Sequence, residues 1–170
     1  MGIRFRNTLP NGETKPWTLR QLIQGRPINR PTHPMLVHFP IAFYFGALGL
    51  DLLSRIGHFA SAPLAASWLL LGAFAGTALA ATTGLVDWSF MRSGSKIRRT
   101  ANWHLLLQLT TAGIFIINFA IRWGDRHLAQ AKPAWIVLDV IGVLVLMVGA
   151  DFGGQMVYLM GYRVGGGGQS

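Results

Sequence analysis

Two histidines and two prolines crowd the stretch HPMLVHFP, residues 33 to 40, just where the chain turns apolar. A third histidine, His104, opens a later apolar stretch. Imidazole is a common neutral metal ligand and the side chain whose charge changes nearest neutral pH. His33 and His38 stand five residues apart, about 140° around a helix, so they do not converge on one metal from one helical face. His38 is assigned inward. His33 is assigned to the interface, as a cap, a proton carrier or a propionate contact. His38 and His104, facing each other from two helices, would set an imidazole on each side of an iron, which is what a b-type haem needs. Arg98 and Arg99, one turn before His104, would pair with haem propionates. Asp87 and His33 would orient the ligands or handle protons. The expected haem b site is thus His38, His104, Arg98, Arg99, His33 and Asp87, with His38 and His104 as the metal ligands.

The elements that must position these groups are apolar helices. Of 170 residues, 51% are hydrophobic and only 12% charged, against about a quarter charged in a soluble domain. Cysteine is absent, which excludes disulfides, thiolate metal sites and covalent c-type haem attachment. The net charge of +9 would suggest nucleic acid in a soluble protein. Here the basic residues border apolar stretches, so they point to membrane topology and anionic headgroups, not nucleic acid.

Four apolar stretches stand out: Met35–Ser54, Trp68–Trp88, Trp103–Trp123 and Trp135–Tyr158. Each is long enough for a bilayer, which takes about 20 helical residues. Trp68 and Trp88, like Trp103 and Trp123, are about 30 Å apart at 1.5 Å per helical residue, a spacing that suits indole rings at both interfaces. The expected fold class is all-α: an integral membrane four-helix bundle, antiparallel and up-down-up-down. Residues 1–32 read as a polar, basic arm, 33–160 as the transmembrane domain and 161–170 as a flexible glycine-rich tail. The arm lacks the apolar core of a signal peptide, so the first span is expected to direct its own insertion. Eleven Lys and Arg residues fall on the side of the termini and the second loop, and four fall on the other side. Both termini are therefore expected to be cytoplasmic, in a bacterial inner membrane.

Ionisable groups within spans are costly, about 2.5–3.5 kcal/mol for Asp at a helix centre. In this topology His38, Asp87, His104 and Asp151 approach one depth, one from each span. Pro40 frees the carbonyl of Leu36 and is expected to kink the first span near His38. His104, Gln108, Thr111 and Asn118 share a helical face. In a simple bundle the first and third spans are diagonal, so this face would look toward the first span. Gly72, Gly76, Ala80 and Gly84 form a small-residue stripe that lets a neighbouring helix approach closely. Asp51 and Asp139 are expected to pair with Arg55 or with the bases of the third loop. His58 and His127 read as solvated loop residues. No internal repeat is strong enough to argue from. The chain also lacks the inverted-repeat signal and paired broken helices of a small transporter.

HPMLVHFPIAF, GLVDW (84–88), NWH (102–104) and GADFGGQMVYLMGYRV (149–164) resemble a bacterial family of predicted four-helix membrane proteins, known as domain of unknown function 2231. The resemblance covers about residues 30 to 164 and carries the motif positions His33, Pro34, His38, Pro40, Asp87, His104, Gly153, Gly154 and Tyr158. Relatives joined to c-type cytochrome or Rieske iron–sulfur domains imply redox partners, although this chain has no fused redox domain.

The expected function is a membrane-embedded b-type haem subunit that passes electrons on the quinone side of a redox complex. The protein would position the group and tune it, and the haem would supply the chemistry. The expected partners are the lipid bilayer, other redox or membrane-complex subunits and a quinone. The alternative is a non-catalytic anchoring subunit without a cofactor of its own, in which the arm grips a partner. Either way, an accessory or electron-transfer subunit is a better description than a stand-alone enzyme.

Overall fold

Hydropathy alone demands four long helices, and the computed structural model has them. It describes residues 7–8, 12–57 and 59–163. Arg4, Arg6, His58 and the glycine-rich end of the tail lie outside the described residues. The spans run Thr32–Ile56, Ala62–Ser89, Lys96–Arg122 and Pro133–Leu159. Each is longer than its apolar stretch, because capping residues carry it past the tail region. Ser95 accepts a hydrogen bond from the Arg98 amide, and Pro63 and Pro133 occupy the first turn of their helices, where a missing N–H is tolerated.

In the arm, residues Asn7–Thr8 (β1) and Thr14–Lys15 (β2) pair antiparallel. A short helix, α1 (Leu19–Ile23), follows, with Thr18 and Gln21 forming a capping box. The first span is two helices, α2 (Thr32–Leu36) and α3 (His38–Ile56), broken at Val37. The break lies where Pro40 withholds the N–H that would have bonded Leu36. The remaining spans are α4 (Ala62–Ser89), α5 (Lys96–Arg122) and α6 (Pro133–Gly154), the last widening into a π-turn over Gln155–Leu159.

The most extensive packing is α3 on α4 and α5 on α6. The α3–α6 and α4–α5 contacts are lighter, so α3 and α5 lie on one diagonal of a four-helix square. The protein is therefore an all-α bundle of membrane-spanning helices. Its surface is apolar, with Leu79, Ile116, Ile117 and Leu144 exposed where lipid tails would lie. Its axis holds Tyr44, Ala47, Leu70, Ala73, Phe115 and Leu146. The small-residue stripe of α4 does what helix packing requires of it. A Cβ on Gly72 would meet Phe43 at 3.0 Å, and one on Gly76 would meet Pro40 at 3.0 Å. Backbones without side chains allow the dispersion contact that holds helices together in lipid.

The diagonal contains a repeat. His33, Tyr44 and Asp51 on the first span face His104, Phe115 and Arg122 on the third, each partner 71 residues further on. On the first and third spans these residues belong to seams at alternating steps of four and three: 33, 37, 40, 44, 47, 51 and 104, 108, 111, 115, 118, 122. Such spacing keeps one stripe on the axis for the full length of a helix. The chain is two helical hairpins whose facing residues keep one 71-residue step.

Candidate functional site

At the end of the bundle nearest the arm, His33 and His104 meet. Their ring centroids are 6.2 Å apart and their planes stand at 86°. His33 sits in α2, and its Nδ1 lies 2.9 Å from the carbonyl of Ala80 on α4. His104 sits in α5, and its Nδ1 lies 2.7 Å from the carbonyl of Gly149 on α6. A carbonyl only accepts, so each Nδ1 carries the proton and each Nε2 keeps its lone pair free. The two hairpins thus pin their histidines in the same way. One turn beyond each carbonyl stands a glycine. A Cβ on Gly84 would lie 2.9 Å from His33 Cε1, and one on Gly153 would lie 3.1 Å from His104 Cε1. The glycines make the room in which the rings lie.

Beside the pair is a largely apolar cavity of about 480 Å³, whose wall includes Tyr44, Gln108, Thr111, Met156 and Arg163 as well as both histidines. Tyr44 O–H meets Thr77 Oγ1 at 3.1 Å. Thr111 Oγ1 is buried without a partner. The arm closes one end. Gln24, only 5% exposed, donates to Asp87 Oδ1 at 3.0 Å. Arg163 donates to the same oxygen at 2.7 Å and to the Gln24 carbonyl at 2.6 Å.

The structure rearranges the expected site. His33, expected at the interface, is the inward histidine that meets His104. His38 is exposed on the rim of the cavity, so the His38–His104 pairing is corrected. The cause is the angle already counted: five residues on from an inward His33, a side chain turns away from the axis. Arg98 is committed elsewhere. Its guanidinium covers the Trp88 ring at 3.5 Å and donates to the carbonyls of Trp88 and Met91, closing the end of α4. Arg99 is exposed, and neither arginine is on the cavity wall. Asp87 is on that wall but is held by Arg163 and Gln24. Asp151 is exposed and bonded to Gln155, so α6 contributes the Gly149 carbonyl to the histidine level instead of a carboxylate.

Sequence reasoning passed over Gln24 and Arg163 as site residues, because the Asp87 that joins them lies 63 and 76 residues away in sequence. It also passed over the hairpin repeat, whose signal was the shared 71-residue step from one histidine, aromatic and charged residue to the next. Asp51 pairs with Arg122 at 2.7 Å, whereas Arg55 donates to Gln130 and the Ala131 carbonyl. Among the described residues no group of three or more His, Asp or Glu side chains could hold a metal ion. A bare metal site needs at least three protein ligands, but a haem iron needs only the two axial ones.

A family described as predicted membrane protein (DUF2231) matches residues 29–166. No curated protein and no solved structure matches the chain.

Proposed function

The chain belongs to the DUF2231 family of predicted membrane proteins, and we propose that it is a b-type cytochrome subunit whose haem is held by His33 and His104. The observation that supports this reading is the pinned pair. Each imidazole gives its Nδ1 proton to a main-chain carbonyl of the neighbouring helix, the support that metal-ligating histidines ordinarily have. Two imidazoles that would hold one iron between them, at about 2 Å per metal–nitrogen bond, would have ring centroids roughly 6 Å apart. The centroids here are 6.2 Å apart, and the glycines at 84 and 153 leave each ring the space that a Cβ would take. The residues present therefore fit the group. When bound, haem iron supplies one-electron chemistry. The chain's own part is to fix both imidazole tautomers, to surround the site with apolar wall and to keep it at one end of the bundle.

The basic residues on the side of the termini and second loop support an orientation with both termini in the cytoplasm of a bacterium and the site near that face. A lipid-soluble quinone and a redox subunit are the fitting electron partners for a haem held at one end of a membrane bundle. The test is a reduced-minus-oxidised visible spectrum of the protein purified in detergent from haem-sufficient cells. Sharp b-type bands are expected, lost in His33→Ala and in His104→Ala and kept in His38→Ala. A featureless spectrum overturns the reading and leaves the histidines as hydrogen-bonded interhelical contacts of an anchoring subunit.

A further inference from the structure

A second polar cluster lies at the opposite end of the bundle, eighteen residues along each seam from the histidines, or roughly 27 Å at 1.5 Å per residue. Asp51, Asn118, Arg122 and Asp139 are all 0% exposed. They come from α3, α5 and α6, and α4 adds the Pro63 carbonyl. Arg122 Nη2 donates to Asp51 Oδ1 at 2.7 Å and to Pro63 O at 3.2 Å. Its guanidinium lies 4.8 Å from the Trp135 ring centroid. Asn118 Nδ2 donates to Asp139 Oδ1 at 2.5 Å and to the Trp135 carbonyl at 3.1 Å. Ser54 closes the cluster: its hydroxyl donates to the Asp51 carbonyl and accepts from the Ala131 amide of the last loop.

The charges in this cluster do not balance. There is one guanidinium for two carboxyl groups, and a surplus charge in a dry interior costs several kcal/mol. Arg122 is ion-paired with Asp51, and its Nε and Nη1 have no partner. Among the described residues no cation is ion-paired with Asp139. Lys132, at the start of α6, is paired with Asp125 instead. The two carboxyl groups also leave matching vacancies. Asp51 Oδ2 and Asp139 Oδ2 are both buried without a partner, and the two carboxyl groups are held side by side by Arg122 and Asn118, one turn apart on α5. Two bare carboxylate oxygens in that position repel. One hydrogen between them turns the repulsion into a short O–H···O bond, satisfies both orphan oxygens and cancels the surplus charge.

We propose that Asp51 and Asp139 together bind one proton inside the membrane, beside Arg122, which makes this end of the bundle a proton-binding site. The site is built from three of the four spans and is separate from the histidine pair. It does not rest on the haem reading, since nothing in it touches the cavity between His33 and His104.

The test is infrared spectroscopy of the full chain in lipid near neutral pH, with aspartate isotope-labelled at its side-chain carboxyl carbon. The remaining aspartates are Asp87, paired with Arg163, Asp125, paired with Lys132, and Asp151, which is exposed. The expected result is a single label-sensitive band in the carbonyl region of protonated carboxylic acids that shifts in D2O. It is expected to vanish in Asp139→Asn and in Asp51→Asn. If every labelled aspartate of the unmodified protein gives only carboxylate bands, the proposal is overturned, and that outcome needs no variant to fold. A protonated-acid band that persists in both variants overturns it as well. The visible spectrum is unaffected by either result, so failure here and failure of the haem reading are distinguishable.

Discussion

Tyr44 and Phe115 stack face to face at the centre of the bundle, with ring centroids 4.1 Å apart and planes within 18°. They are counterparts in the two hairpins, and they lie between the histidine pair and the aspartate–arginine pair. Phe115 is 0% exposed and Tyr44 2%. A Cβ on Gly142 would come within 2.6 Å of Phe115 Cε2, so α6 is shaped to the ring. Phe115→Ala is expected to cost about 3 kcal/mol or more through the cavity it leaves. Tyr44→Phe keeps the stack and loses only the Thr77 bond, so it is expected to cost about 0.6 kcal/mol, as interhelical hydrogen bonds do in lipid. Denaturant unfolding in mixed micelles measures both. Equal costs would show that the stack does not hold the hairpins together.

Gly84 and Gly153 are expected to be the glycines whose replacement disturbs the histidine rings. A side chain at either position meets an imidazole that is already fixed by a carbonyl on the same helix. Gly84→Val is expected to displace His33 and to abolish the b-type spectrum while the bundle remains folded by circular dichroism. Gly113 has nothing within 4 Å of an added Cβ, so Gly113→Ala is the control and is expected to keep the spectrum. Intact bands in Gly84→Val would show that the ring has room to move.

The four spans were legible in the sequence because lipid requires a backbone that satisfies itself, and apolar runs of about 20 residues do so as helices. The break at Val37 was legible in part: Pro40 removes one particular hydrogen bond. Which histidine faces inward was not legible, because local spacing gives only the angle between His33 and His38. The rotation of the whole helix is set by its contact with α4, where the glycine stripe receives Pro40, Phe43 and His33. Arg122 looked like a loop base because it ends its apolar stretch. Its role follows from the matching positions of Asp51 and Arg122 in the repeat, a long-range relation that window-by-window reading does not weigh.

Arg122 is expected to be the most sensitive charged residue. Removing one partner of a buried ion pair typically costs about 3–5 kcal/mol, because the other charge is left without compensation. Arg122→Met strands Asp51 beside Asp139 and is expected to cost that much. Adding Asp51→Asn to Arg122→Met removes the stranded carboxylate, so the double variant is expected to be more stable than Arg122→Met alone. A double-mutant cycle in micelles gives the coupling directly. Additive costs would show that the 2.7 Å contact contributes no coupling.

The arm is expected to open before the bundle does, and from the alkaline side. Arg163 joins the chain end to Asp87 and to the Gln24 carbonyl, and Tyr162 O–H donates to the Asp87 carbonyl at 3.4 Å. Arg163→Ala leaves Asp87 without its cation at 5% exposure, a loss of about 1–3 kcal/mol for a buried group left unpaired. The expected result is faster protease cleavage of residues 12–31 with no change in bundle unfolding. Burial pushes the Tyr162 phenol above its ordinary range, and the Asp87 carboxylate adds to the shift. A raised value in the closed arm means that the opened form ionises first. The contribution of Tyr162 is therefore fully present below the ordinary tyrosine value of about 10 and is lost as pH rises through the raised one. Protease sensitivity of the arm is expected to climb over that range, and Tyr162→Phe is expected to flatten the climb. A profile unchanged by Tyr162→Phe would assign the alkaline opening to another group.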